Sequence, residues 1–270
     1  MSTSGWTTER WLTEAEVRDI EYAQYWNDVE AEREKPWNVA DGDFATLERY
    51  IDQTGLRDDL ETCLRAVGRP LSGSGIDLAA GTLWAAPHLL AAGDVQRLYC
   101  LEFSRHRLFE LGPRVLEHYG VDQQRIVLAY GSFYDLRLPD DELDFAFLSQ
   151  AFHHADRPDA LLAELRRVLR PGGVAILVGE HVLRPRDYAL YFARVLASLA
   201  PQGVRRRVPG ADAEIRRTLR PRAQDLFPTD PVLGDHVYDR ADYDRLFRAA
   251  GFSWRAVRRP RGHYQGFVLS

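Results

Sequence analysis

Ile76-Asp77-Leu78 runs into Ala79-Ala80-Gly81, a short apolar strand that ends in a turn of small side chains before a helix expected from Trp84 to Ala91. Such a strand, turn and helix let the main chain approach a nucleotide-type ligand closely. Glu102 stands 21 residues beyond Gly81, at the end of a second strand-like run from Arg97. An acidic side chain there can accept both hydroxyls of a ribose. The two signals together point to an adenosine ligand, with Asp77, Ala79, Gly81, Glu102 and Phe103 as its expected contacts. The other side chains suited to chemistry are His153, His154 and His181, which fall at the ends of strand-like runs. Imidazole titrates near neutrality and can deprotonate a hydroxyl or an amine. His154 is the preferred candidate, ahead of His153 and His181, and the competing reading makes one of the adjacent pair a turn residue satisfied by backbone. A metal held by His153, His154 and Asp156 is not expected, because adjacent histidines point in different directions and no further ligand is identifiable.

Which adenosine ligand follows from what the turn lacks. A dinucleotide needs G-x-G-x-x-G, since its pyrophosphate packs on bare backbone and a helix N-terminus. The aligned positions hold Ala79, Gly81 and Trp84. S-adenosylmethionine (SAM) carries no phosphate and tolerates this. With Asp77, Ala79, Gly81 and Leu83 on the pattern D-x-G-x-G-x-G, the segment resembles the first motif of the class I SAM-dependent methyltransferases. The resemblance continues through Gly131 to Leu136, which follows the strand Arg125 to Tyr130 as that family's adenine-contacting segment does. It implies that the Ser132 hydroxyl and the Phe133 main chain meet the adenine. Leu143 to His154 looks like the fourth strand and its turn, which places Ser149 at the cofactor, and Pro171-Gly172-Gly173 leads into a fifth strand, Val174 to Gly179. The family's N-terminal helix closes over SAM, which implies the same for Tyr25 in the pair Tyr25-Trp26.

Strand and helix alternate from Gly75 to Gly179, the pattern of a parallel sheet covered on both faces. Leu161, Leu162, Leu165, Val168 and Leu169 recur at helical spacing behind Pro158, and Tyr243, Leu246, Phe247 and Ala250 do so before Gly251. Two strand-like runs, Phe252 to Val257 and Tyr264 to Leu269, have no helix between them and are expected to pair as an antiparallel hairpin. The expected fold is therefore an α/β, Rossmann-like doubly wound sheet, mostly parallel with a C-terminal antiparallel hairpin. It divides into an N-terminal helical extension or lid (1–70), a SAM-binding core (71–182), a substrate-cap insertion (183–238) and the completion of the core (239–270). Thr13 to Glu16 carries a capping-box pattern that opens a helical stretch to about Glu34. Trp6, Trp11, Trp26 and Trp37 lie in that extension, either as glue onto the core or as a lid. The cap is rich in arginine, including Arg205, Arg206, Arg207, Arg216 and Arg217. That pattern fits a solvated, ion-paired helical face or a site for an anionic group on the substrate.

A net charge of -5 argues against a general nucleic-acid coat. Cys63 and Cys100 are far apart and form no C-x-x-C, so neither a disulfide framework nor a zinc site is indicated. No apolar run reaches the roughly 18 residues of a membrane span, and the first residues have no signal-peptide core, so the expected location is cytoplasmic. The expected activity is methyl transfer from SAM to an oxygen, nitrogen or carbon of a small-molecule acceptor, with secondary metabolism as one setting and a homodimer as one assembly. Three competing readings remain. One is a methyltransferase-like protein that binds SAM without catalysis. Another is an RNA methyltransferase, which lacks the stacking-aromatic motif that RNA recognition uses. The last is an NAD-dependent oxidoreductase, which lacks the glycines.

Overall fold

The computed structural model describes residues 5–18, 23–199, 223–226, 234–257 and 264–270. Its centre is a sheet containing β1 (Thr7–Arg10), β2 (Leu71–Leu78), β3 (Gly93–Glu102), β4 (Ile126–Tyr130), β5 (Leu143–Ser149), β6 (Leu169–Leu183), β8 (Trp254–Val257) and β9 (Tyr264–Leu269) in the order β1-β4-β3-β2-β5-β6-β9-β8. A two-residue strand, β7 (Tyr238–Asp239), pairs with the far end of β6. All pairings from β1 to β6 are parallel, and β9 is antiparallel to both β6 and β8. The expected fold class and terminal hairpin are both present.

The chain leaves β2 outward through β3 and β4, then returns to lay β5 on the other side of β2. That reversal opens a crevice beyond the carboxyl ends of the strands, where ligands bind in open α/β sheets. Both faces of the sheet are covered. One apolar cluster joins Leu47, Ile51 and Leu60 to Leu98, Phe145 and Ile176, and the other joins Leu161, Leu165 and Phe247 to Ile76, Leu148 and Phe267. The first face carries α4 (Phe44–Thr54), whose Asp43 side chain accepts from the Thr46 N–H, and α5 (Leu56–Val67), which starts after Gly55 in the left-handed conformation. The second carries α8 (Pro158–Val168), with proline in its first turn.

Several boundaries depart from the sequence reading. The helix after the small-residue turn is α6 (Ala86–Ala91), because Leu83 takes a left-handed conformation, φ 63°, which no helix continues. The N-terminal stretch is not one helix but α1 (Glu14–Arg18), α2 (Ala23–Trp26) and α3 (Val29–Glu32), the last capped by Asp28. Ahead of them β1 adds an edge strand parallel to β4, with Trp6 and Trp11 buried on opposite faces of the sheet. These two tryptophans are the glue. The Pro171-Gly172-Gly173 turn lies inside β6 as a bulge: Leu143 pairs with Leu169, but Phe145 pairs with Val174. After β6 comes α9 (Pro185–Ser198). Arg205, Arg206, Arg207, Arg216 and Arg217 lie outside the described residues. No described helix is long and apolar enough to cross a membrane.

Candidate active site

Beyond the ends of β2 to β6 lies a cavity of about 810 Å³. Its floor is the turn after β2. Ala79 and Gly81 are left-handed there, at φ 53° and 56°, so Ala79 holds a conformation that glycine adopts at less cost. A Cβ added at Gly81 would meet no atom within 4 Å. The space it would enter is the cavity, which Gly81 lines.

Glu102, almost fully buried at the end of β3, organises the turn. One carboxylate oxygen accepts from the Gly81 N–H at 2.9 Å, and the other accepts from the Phe103 and Ser104 N–H groups at 2.8 and 2.9 Å. These bonds lock the carboxylate in one orientation at the cavity wall and leave lone pairs for further donors. Asp77 is buried beside it, and desolvation, reinforced by the Glu102 charge, pushes its carboxyl well above the ordinary range. Asp77 Oδ2 and Ser149 Oγ are buried polar atoms with no protein hydrogen-bond partner, and both residues line the cavity. They suit a ligand that brings donors. Phe103, Ser132 and Phe133 line it too. The Ser132 hydroxyl already accepts from the Tyr134 N–H at 3.2 Å, which leaves its own O–H to donate.

The three histidines gather at the other end. Glu180, fully buried, accepts from the Ala151 and Phe152 N–H groups and pairs with His153 Nδ1 at 2.9 Å. Burial works against the His153 imidazolium, but the charge and hydrogen bond of Glu180 outweigh it and raise the His153 pKa. The His181 ring lies 4.9 Å from that of His153, and burial followed by the His153 charge holds its pKa below the ordinary value. His154 faces Asp235, and the neighbouring His236 N–H donates to the His153 carbonyl at 2.7 Å. Asp156 is not the carboxylate that meets the histidines. It accepts from the Tyr134 hydroxyl, 22 residues away in sequence.

The N-terminal segment roofs the cavity, and here the wall residue is Trp26, not Tyr25. Tyr25 packs edge-on behind Trp26, with ring centroids 4.9 Å apart, and is not among the lining residues. Trp26 lies 4.9 Å edge-on to His154 and 4.9 Å from the Arg107 guanidinium. Arg107 sits between Trp26 and Trp37 and pairs with buried Glu32, which also accepts from the Trp37 indole. Arg107, Glu32, Glu180, Gln150 and Asp235 escaped the sequence reading as site residues. Only Gln150 carries a local signal, next to Ser149 at the end of a strand. Its left-handed φ of 49° is the kind of strain found at functional sites.

Residues 76–177 match the family model described as a methyltransferase domain. The matched stretch runs from the end of β2 into β6, past the cavity at the switch point, and is the part of the chain similar to a methyltransferase domain. Its sequence is similar to a demethylmenaquinone methyltransferase of Clavibacter sepedonicus, 35% identical over 141 residues, 50% of this chain and 54% of that protein. A second protein of that name, from Bacillus velezensis, is 29% identical over 126 residues, 45% of this chain and 53% of its own. The chain thus spans about half the length of the curated relatives it matches. The fold is shared with the solved DhpI-SAM-HEP complex, with TM-score 0.55, 19% identity, and 90% and 98% of the two chains covered. It is shared also with a putative O-methyltransferase from Nostoc punctiforme, with TM-score 0.57, 17% identity, and 87% and 59% covered.

Proposed function

We propose that the protein transfers a methyl group from SAM to a nucleophile on a small molecule held between Trp26 and the histidines. The observation that carries this reading is the layout of one cavity: a left-handed turn of small residues and a fixed carboxylate at one end, three imidazoles at the other. The residues fit SAM. Gly81 leaves room for it, Glu102 has acceptor capacity directed at a diol, and the unpaired Asp77 and Ser149 oxygens suit the donors of its amino-acid end. Bound there, SAM supplies an electrophilic methyl carbon. The chain's own work is to place the acceptor in line with it and keep water out, which positioning alone can make worth orders of magnitude in rate. Trp26 and Trp37 roof the cavity, while His153, His154 and His181 face the acceptor's nucleophilic atom and activate it. The names of the curated relatives favour an aromatic, quinone-derived acceptor. Trp26 and Tyr134 on the cavity wall offer ring faces for one.

Calorimetry with S-adenosylhomocysteine and with NAD tests the cofactor. Binding of the first and none of the second is expected, and tight NAD binding alone would overturn the proposal. Turnover of labelled SAM against a panel of phenolic and quinol acceptors then tests the acceptor class, and activity confined to RNA would refute it.

A further inference from the structure

We propose that His153, His154 and Asp235 form a binding site for one divalent transition-metal ion at the acceptor end of the cavity. One ligand atom from each residue lies within 4.8 Å of the other two, which makes these three residues a candidate metal trio among the described residues. Two imidazoles and one carboxylate with open positions on the cavity side are a donor set that zinc, cobalt(II) and iron(II) accept.

Three further features distinguish the trio from an ordinary ion pair. His154 Nδ1 and Asp235 Oδ1 are 2.8 Å apart, and both atoms are buried with no hydrogen-bond partner beyond each other. Ligand atoms that share an ion at about 2.0–2.2 Å stand roughly 3 Å apart without pointing at each other. The observed pair has that spacing. Next, His153 Nδ1 is committed to Glu180, which is itself fixed by two backbone N–H groups, so Nε2 is the nitrogen left to ligate. A carboxylate bound to the far nitrogen of a ligating histidine is a recurrent support of metal sites, where it sets tautomer and ring orientation. Last, the residues are held from three directions. His153 and His154 share a one-turn 3₁₀ helix after β5, Glu180 comes from β6, and Asp235 is anchored through the His236 N–H on the His153 carbonyl.

The role of the ion rests on the methyl-transfer reading. All three residues line the cavity, so an open coordination position faces the acceptor. A hydroxyl oxygen of the acceptor would bind there and release its proton to solvent, since a bound divalent cation lowers the pKa of an oxygen ligand by several units. This favours an acceptor with a hydroxyl at or beside the methylated atom.

The test begins with metal binding and needs no turnover. The full chain, stripped with a chelator, is titrated with Co²⁺ and followed by visible absorption, and Zn²⁺ stoichiometry is read by equilibrium dialysis. One equivalent with ligand-field bands of imidazole ligation is expected. His154→Gln and Asp235→Asn should each weaken Zn²⁺ binding at least tenfold, and Glu180→Gln by about 10- to 100-fold, as loss of an outer carboxylate does elsewhere. S-adenosylhomocysteine binding, measured on each variant, reports whether the fold and the cofactor end survive. Where a variant loses both ligands, the Co²⁺ spectrum of the parent protein decides. Absence of stoichiometric binding to the parent, or binding unchanged in His154→Gln and Asp235→Asn, overturns the metal site. Parent protein that binds S-adenosylhomocysteine but no metal sinks this inference alone. Metal bound without affinity for S-adenosylhomocysteine sinks the methyltransferase reading instead.

Discussion

Glu102 and Asp77 lie side by side at the ends of β3 and β2 and have opposite surroundings. Glu102 is clamped by three backbone N–H groups, whereas Asp77 has an oxygen with no partner. Glu102→Gln keeps one acceptor and the shape, so the protein should fold while S-adenosylhomocysteine binds about 10- to 100-fold more weakly, the loss expected for hydrogen bonds to a charged group of about 1.5–3 kcal/mol. Unchanged calorimetric affinity would remove Glu102 from the site. Gly81→Val places its branches in open cavity space, so it should abolish binding at a folding cost of about 1–2 kcal/mol for a left-handed non-glycine residue. Asp77 bears on pH. Its folded pKa is raised by burial, so the folded state holds the proton longer than the unfolded chain does. Stability from this group is full at low pH and falls as pH rises from about 3.9 through the raised folded pKa. Asp77→Asn should therefore melt at a higher temperature than the parent near pH 8, with the difference closing towards about pH 4. A variant less stable at every pH would contradict this.

At the scale of elements, the short helices α2 and α3 have little stability of their own, since helices of one turn do not persist without tertiary packing. Their docking depends on Glu32, which is buried and pairs with Arg107 while receiving the Trp37 indole N–H. Glu32→Gln leaves a largely buried guanidinium without its counter-charge. It should cost about 1–3 kcal/mol in stability and speed S-adenosylhomocysteine release more than it slows association. Stopped-flow kinetics separates the two, and an unchanged release rate would show that the roof does not retain the cofactor. Among the N-terminal aromatics, Trp26 and Trp37 line the cavity, while Trp6 and Trp11 are buried in the core.

At the scale of the molecule, both thiols report on the integrity of the sheet. Cys63 on α5 is packed against β6, and burial followed by the Asp59 charge pushes its pKa up to about 12. Cys100, inside β3, is pushed well above its ordinary value by burial and the Asp77 charge. Neither exposes thiolate while the sheet is closed, so a disulfide reagent near pH 8 should label the two only at the rate of global unfolding. Labelling within the mixing time in native buffer would place a thiol outside the core.

The sequence by itself determined the parts of the site that lie within a few residues of a strand's carboxyl end. Asp77, Ala79, Gly81, Glu102, Phe103, Ser132, Phe133, Ser149, His153, His154 and His181 all reach the cavity. They could be found because alternating apolar runs mark the strands, and ligands of a doubly wound sheet gather where those strands end. What remained hidden depends on approach between distant segments. Arg107 and Glu32 meet across 75 positions of chain, and Asp235 and His154 across 81, so no local pattern connects them. Phasing was lost as well. Tyr25 and Trp26 are successive residues of a helix, about 100° apart around its axis, and only the docked angle of α2 decides which ring faces the cavity. The edge strand β1 is four polar residues, Thr7–Arg10, and its partner β4 gives it a conformation that no apolar alternation of its own specifies. Local chemistry thus wrote the turn after β2, Glu102 and the three histidines into the sequence, while Asp235 and the roof came from tertiary packing, which alone brings residues from different segments to one point.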